Sequence, residues 1–324
     1  MLKFNENYDF SRFESFCEWG EALPDSFPIG LGSLENPVKS CILVSKEIKF
    51  LESFDPSEYF IVSANPKFPL NKVWLKVKNE HYFLKECLEA LKLSRSRLRS
   101  NDILSTLELT SKSYSESAVI YKEAKLGENL KICEKVVIYP ETSIGDNTVI
   151  EPGCIIYPGT IIGSNCHIMA NSVIGSEGFG FAEAKESIER IPQLGGVEIG
   201  NDCEIGPLCT IDSGTIDPTT LGNYCKLDAH CHIGHNCKLG NNVYIAAQTG
   251  FSGSTIIGSN VGFSGQCATT GHLKITSNTK FMGRTVVTKN INESGIYGGF
   301  PAEPANIWRR KQAFLSRAIK KEKK

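Results

Sequence analysis

The sequence lacks any apolar run approaching the ~20 residues that a membrane-crossing helix needs. Its opening, MLKFNENYDFSRF, mixes charge with aromatics and has no apolar core of the kind that marks a secretion signal. Net charge is nearly absent as well. The 35 Lys and Arg offset 36 Asp and Glu, for a formal charge of −1, so nothing draws the whole chain toward nucleic acid or an anionic membrane. What is present is 324 residues, 41% of them apolar and 22% charged. That suffices for a substantial core in two domains, or in one domain with an appendage. Twelve cysteines would suggest disulfides in a short secreted chain; in a chain of this size without a signal they read as reduced thiols of a cytoplasmic protein.

A repeat organises most of the chain. From Ile120 an aliphatic residue recurs at every sixth position, through Leu126, Ile132, Ile138, Ile144, Ile150, Ile156, Ile162 and Ile168 to Ile174. The register resumes at Ile199, Ile205 and Ile211, slips, and then runs from Leu221 through Ile233, Ile245 and Ile257 to Val287. Neither a helix nor a half-buried strand has a period of six. A coil of short parallel strands does, with one inward aliphatic per flat side. Glycine often follows the aliphatic, as at Gly127, Gly145 and Gly163, and is read as the residue that turns the corner. The prediction is a mainly β protein whose body is a left-handed parallel β-helix of hexapeptide repeats.

Four regions follow. Residues 1–100 mix helix-like and strand-like segments and read as an α/β domain. Residues 101–117, rich in Ser and Thr, are the linker, and 118–290 the β-helix. Residues 291–324 are an extension ending in a short basic helix, where eight Lys/Arg stand against one Glu from Ile307 onward. Residues 175–196 interrupt the repeat with a long, glycine-punctuated segment, and a loop that long on a regular solenoid is functional or disordered. The slip between 211 and 221 is read as a distorted corner.

The stretch LDAHCHIGHNC, 227–237, packs three histidines and two cysteines together. Strand side chains alternate faces, so the residue two before each repeat aliphatic also points inward. Cys154, Cys166, Cys203, Cys209, Cys225, Cys231, Cys237 and Cys267 all hold that place and read as small core fillers. Cys231 and Cys237 would then face away from the histidines, and no metal site is expected. His230, His232 and His235 fall on outer faces or corners, where other copies of a triangular prism would pack.

The segments VIGSEGFGFA, RIPQLGGVEIGNDCEIGPLCTID, LDAHCHIGHNCKLGNN, GHLKI and GIYGGFPAEPANIWRRKQA resemble the UDP-3-O-(3-hydroxyacyl)glucosamine N-acyltransferases of lipid A biosynthesis. The resemblance runs through nearly the whole chain in domain order and is specific over 173–310. It implies a homotrimeric cytoplasmic enzyme that moves a 3-hydroxyacyl chain from acyl carrier protein to the 2-amine of a UDP-3-O-acyl-glucosamine. No cofactor is implied beyond the carrier's phosphopantetheine arm as part of the co-substrate, and no nucleic-acid partner. Residue by residue, it implies His235 as general base, His272 as a second active-site histidine and Gly253 as the backbone donor to the thioester oxygen. Asp228, seven residues before His235, is added as a carboxylate to orient the imidazole. Phe179, Phe181 and Val286 are expected at the substrate, Val286 along the acyl groove. Arg309, Arg310, Lys311 and Arg317 are expected to steer the acidic carrier protein. His230 and His232 match no functional position and are read as surface or interface residues.

This sequence also departs from that family. Where a uridine-holding motif with Phe, Asn and Tyr is expected, ILVSKEIKF places Val44, Glu47 and Phe50. Glu47 and Phe50 remain the candidates for the nucleotide, whose binding by the first domain is then altered. Ser213 stands where the family's IDRG has Arg. Three other readings stay open: a paralogue acting on a different amino-sugar nucleotide or using acyl-CoA, a zinc hydrase built on interfacial histidines, and a non-catalytic trimeric scaffold.

Overall fold

The computed structural model of the chain describes residues 114–183, 187–299 and 304–322. Of the first hundred it describes 2–3, 17–19, 30–31, 41–44, 54, 59–64 and 75–96.

The period of six becomes a left-handed parallel solenoid of about 12 turns. Three flat sheets of nine, eight and nine two- to five-residue strands form its sides. Each residue pairs in register with the one a full coil later, as in Val119–Val137–Ile155–Val173. The coil length of 18 residues is also the spacing of the side-chain ladders between coils. Every repeat aliphatic from Ile132 to Val287 is buried, and together they form one continuous core.

Corners are turned differently from the sequence reading. Away from the two insertions and the ends of the coil, the residue three after the repeat aliphatic takes the left-handed conformation, with φ between 53° and 61° where it is not glycine. Asn and Asp hold many of these places because their side chains tolerate that region best after glycine. They also stack: Asn129 donates to Asn147 and Asn147 to Asn165, each at 3.3 Å. The glycines directly after the aliphatic serve a different need. A Cβ on Gly145 would lie 2.6 Å from the Ser164 backbone nitrogen of the next coil, so they admit close stacking rather than an unusual φ.

The inward cysteines are where the register put them, and all eight are buried. They are more than filler. Cys154 Sγ donates to the Met169 carbonyl at 3.1 Å, Cys166 to Gly200 at 3.1 Å, Cys203 to Gly222 at 3.2 Å and Cys267 to Met282 at 3.2 Å. Thr148 and Ser172 do the same with hydroxyls. These inward donors satisfy corner carbonyls of the next coil, while Thr279 and Thr285 turn to carbonyls three residues back in their own. Thr160 is the exception, the one buried side-chain oxygen left unpaired among the described residues. Its partner by this rule would be Gly175, where the chain leaves the coil.

Two insertions interrupt the coil without losing its phase. The first lengthens one turn to 37 residues and is ordered, not a free loop. It forms a hairpin, Phe181–Glu183 against Ile188–Arg190. The second lengthens the next turn to 22; the slip is thus an insertion of four residues over the ordinary 18.

The N-terminal region is a six-stranded sheet with parallel inner strands Gly30–Leu31, Cys41–Val44, Phe60–Ser63 and Leu75–Val77. Helix α1 (Glu80–Ser96) is capped by Asn79, whose Oδ1 accepts from the His81 and Tyr82 amides at 3.0 and 3.1 Å. Phe83, Cys87, Leu88 and Leu91 form its buried face. The same core takes in Ala182 and Ile191 of the inserted hairpin. Buried Lys85 reaches Glu189 at 2.5 Å, Lys92 pairs with Glu177, and Asn79 Nδ2 donates to the Glu183 carbonyl. The insertion therefore fastens the first region to the solenoid. Helix α2 (Ala305–Glu322) ends the described chain.

The inner hydrogen-bond rule predicts a difference between two isosteres. Cys154→Thr keeps a donor for Met169, whereas Cys154→Val leaves that carbonyl unpaired. Urea titration of the two variants should find Val less stable than Thr by about 1–2 kcal/mol.

Candidate active site

Both insertions emerge beside His235, and the site is built where they meet the regular coils. His235 sits at a corner, half-buried, in a column with Gly253 and Gly271 of the following coils. The Ser254 amide donates to the His235 carbonyl at 2.8 Å and the His272 amide to the Gly253 carbonyl at 3.1 Å. The imidazole is held between two glycines. A Cβ on Gly178 would lie 2.6 Å from His235 Cβ, and one on Gly253 would lie 2.6 Å from Nε2. Any side chain at either place would displace the ring. The Gly253 N–H makes no hydrogen bond among the described residues.

Asn236 orients the ring. Its Oδ1 accepts from the Thr215 amide at 2.8 Å, which turns Nδ2 to donate to His235 Nδ1 at 2.9 Å. Nδ2 also reaches Thr215 Oγ1, which donates to Gln193 Oε1 at 2.7 Å. With Nδ1 accepting, the neutral ring carries its proton on Nε2, the nitrogen against Gly253. Burial is the main force holding the imidazole below its ordinary pKa. His272 and His232 push the same way, while Asp212 and the Phe179 carbonyl oppose them. His235 is thus unprotonated at neutral pH.

The carboxylate of the site is Asp212, not Asp228. Asp228 accepts from the Ala229 and Ala247 amides at 2.7 and 3.2 Å and braces the backbone. Buried Asp212 accepts from Ser176 Oγ at 3.1 Å and lies 3.7 Å from His232 Nε2. Burial raises its pKa, against the charges of His232, His235 and Arg190 and the Ser176 bond. His232, read from sequence as incidental, is therefore part of the site, with Thr210 Oγ1 2.7 Å from its Nδ1. His230 takes a left-handed corner, exposed and apart from this network.

Other expected residues divide. His272 is an exposed left-handed corner close enough to His235 to affect its charge. Phe179 is 84% exposed and packs edge-on against Phe181 at 4.8 Å. Arg190 lies over the Phe181 ring and donates to the Gly178 carbonyl at 2.9 Å. Val286 is exposed on the face that carries His232. Arg309, Arg310, Lys311 and Arg317 are exposed on α2. Glu47 and Phe50 lie outside the described residues. Among the described residues no cluster of three His, Cys, Asp or Glu could hold a metal ion, and no helix is long and apolar enough to cross a membrane. Asp212, Asn236 and Arg190 escaped the sequence reading, since only the two insertions bring them to His235.

Residues 141–176 and 218–253 match the bacterial transferase hexapeptide family (six repeats), in keeping with the coil. The chain is also similar to curated UDP-3-O-acylglucosamine N-acyltransferases. It is 42% identical to that of Hahella chejuensis over 147 residues, 45% of this chain and 42% of the relative. It is 46% identical to that of Dechloromonas aromatica over 154 residues, 47% of this chain and 44% of the relative. The match thus spans less than half the length of these curated relatives. Among solved structures, a UDP-N-acetylglucosamine acyltransferase of Bacteroides fragilis superposes with a TM-score of 0.53 at 28% identity, covering 61% of this chain and 77% of that one.

Replacing the Asn236 donor with an acceptor should reverse its effect on the ring. Asn236→Asp stabilises Nδ1–H and adds a negative charge, so the His235 pKa should rise by about one unit or more. Proton NMR titration of His235 C2–H should show the midpoint moving up from below 6.5.

Proposed function

We propose that this chain is an N-acyltransferase. It moves a 3-hydroxyacyl chain from acyl carrier protein to the 2-amine of a UDP-3-O-acyl-glucosamine, in lipid A biosynthesis. The observation that carries this reading is an imidazole held below its ordinary pKa and packed against Gly253, whose N–H has no partner among the described residues. The relatives' names supply the substrate class.

The amine nitrogen attacks the thioester carbon, a C–N bond forms, and the carbonyl oxygen becomes an oxyanion. A fixed donor such as Gly253 N–H stabilises that charge by roughly 3 kcal/mol. His235 takes the proton the amine loses. When the C–S bond breaks, the leaving thiolate receives that proton, which returns the ring to its neutral state. Nε2 can take that proton only in the tautomer with the proton on Nδ1, which requires the Asn236 amide to turn its Oδ1 toward the ring. His272 lies close enough to share in binding the reacting groups. Because His235 is held below its ordinary pKa, activity should fall only as pH drops below about 6.5.

The exposed Phe179 edge and the Arg190 guanidinium fit a planar base and its phosphates, with the N-terminal sheet completing the nucleotide site. The basic residues of α2 complement an acidic carrier protein. Thioester and carrier are cytoplasmic reactants, and the acyl thioester is the one co-substrate, with no separate cofactor. Homotrimer formation fits the unequal faces of the prism. One face presents the half-exposed aliphatics Val119, Val137, Ile155 and Val173, where a second face presents Lys131, Val149, His167, Glu204 and Lys226.

Two measurements test the reading. Transfer from 3-hydroxyacyl carrier proteins of graded length should fall by about 10²–10⁴ in His235→Ala; an unchanged rate would remove His235 as base. Ile155→Arg should convert trimer to monomer in light scattering, and a wild-type monomer would overturn the assembly.

A further inference from the structure

Two ion-pair tethers run from helix α1 to the first insertion, and both lead to His235. Buried Lys85 reaches Glu189 Oε2 at 2.5 Å while holding Glu86 and Glu89 of its own helix at 3.1 and 3.5 Å. About two turns further along α1, Lys92 pairs with Glu177. Each of these hairpin-side carboxylates stands one residue from a group that acts on the reacting corner. Arg190, next to Glu189, donates from Nη1 to the Gly178 carbonyl at 2.9 Å. Gly178 directly follows Glu177, and its backbone lies against the imidazole. A Cβ there would come within 2.6 Å of His235 Cβ and 3.1 Å of Cγ and Cδ2. The two routes converge on one glycine and end at the ring.

The tethers differ in strength. Lys85 is buried among its carboxylates, where charge-assisted hydrogen bonds are strong. Lys92 and Glu177 are half-exposed, and such a pair contributes little alone. Apolar packing backs both, since Ala182 and Ile191 of the hairpin share a core with Phe83, Cys87 and Leu88 of α1. Gly178 has no side chain with which to hold its own place. Its carbonyl is fixed by Arg190 and by the Gly180 amide at 3.0 Å, both carried on the tethered segment.

We infer that Lys85, Lys92 and Arg190 are positioning residues of the reacting corner: acting through Glu189, Glu177 and the Gly178 carbonyl, they press Gly178 onto His235. This keeps water from one side of the ring and fixes its angle to Gly253. The inference rests on the transferase reading above for the reaction it affects. It gives the N-terminal region a part in transfer separate from any nucleotide it holds, so the altered ILVSKEIKF motif and the clamp are independent features.

The test cuts both tethers in the full chain. Glu177→Gln with Glu189→Gln leaves Lys85 its partners Glu86 and Glu89, so α1 keeps its own ion pairs. In this double variant kcat should fall about 10-fold, with KM for the UDP-sugar within about twofold of wild type. Proton NMR titration of His235 C2–H should show the midpoint rising toward about 6.5 as water reaches the ring. The charged groups facing that ring, Asp212, His232 and His272, are untouched. Loss of a carboxylate would by itself move the midpoint down, so a rise reports lost burial. Lys92→Met with Glu189→Gln cuts the same tethers by removing a cation instead, should raise the midpoint too, and serves if the first variant does not fold. A midpoint that stays or falls in both variants overturns the inference. So does a change confined to KM, which makes the region a nucleotide holder only. No transfer by wild type defeats the transferase reading, while the titration still decides the clamp.

Discussion

The in-register stacking of one coil on the next is the constraint from which everything else follows. Parallel ladders repeat every 18 residues, so a residue's chemistry is set by the residues above and below it in its column. The left-handed corner favours Asn or Gly at one place, and close stacking requires glycine at another. The inward thiols and hydroxyls satisfy corner carbonyls that the ladders leave over. A narrow prism of two-residue strands exposes much backbone for its core, and the inner hydrogen bonds keep those polar groups from being buried without partners.

The same constraint explains the location of the site. A regular coil offers columns but no cavity. The two insertions add side chains from outside the columns by leaving the coil and returning in phase, at 37 and 22 residues. The first lays Gly178 over His235, brings Ser176 to Asp212 and Arg190 above Phe181, and grips α1 through Lys85 and Lys92. The second brings Thr215 to Asn236. His235 is thereby desolvated enough to stay neutral, yet remains next to the unpartnered Gly253 N–H. The N-terminal sheet region and the His235 corner are joined through one short hairpin.

The repeat and the buried places of the eight cysteines were legible in the sequence. Each depends on local alternation and period, which the chain carries in itself. That His235, Gly253 and His272 lie at one corner of successive coils follows from the 18-residue spacing. The glycine corners were misread because glycine answers two needs, left-handed φ and close approach, which composition does not separate. Asp228 was chosen for nearness along the chain, and His232 was dismissed for matching nothing. Both errors have one source: which carboxylate meets which imidazole depends on how two irregular segments fold back.

By itself, then, the sequence determined the solenoid, its register and the inward or outward sense of nearly every repeat residue, because a strict period leaves the backbone one way to coil. The tertiary structure alone decided that Asp212 rather than Asp228 lies beside His232 and His235, and that the Asn236 amide meets the His235 ring. Those contacts join residues from different coils and from the insertions, and no local pattern records how far an insertion reaches before it returns.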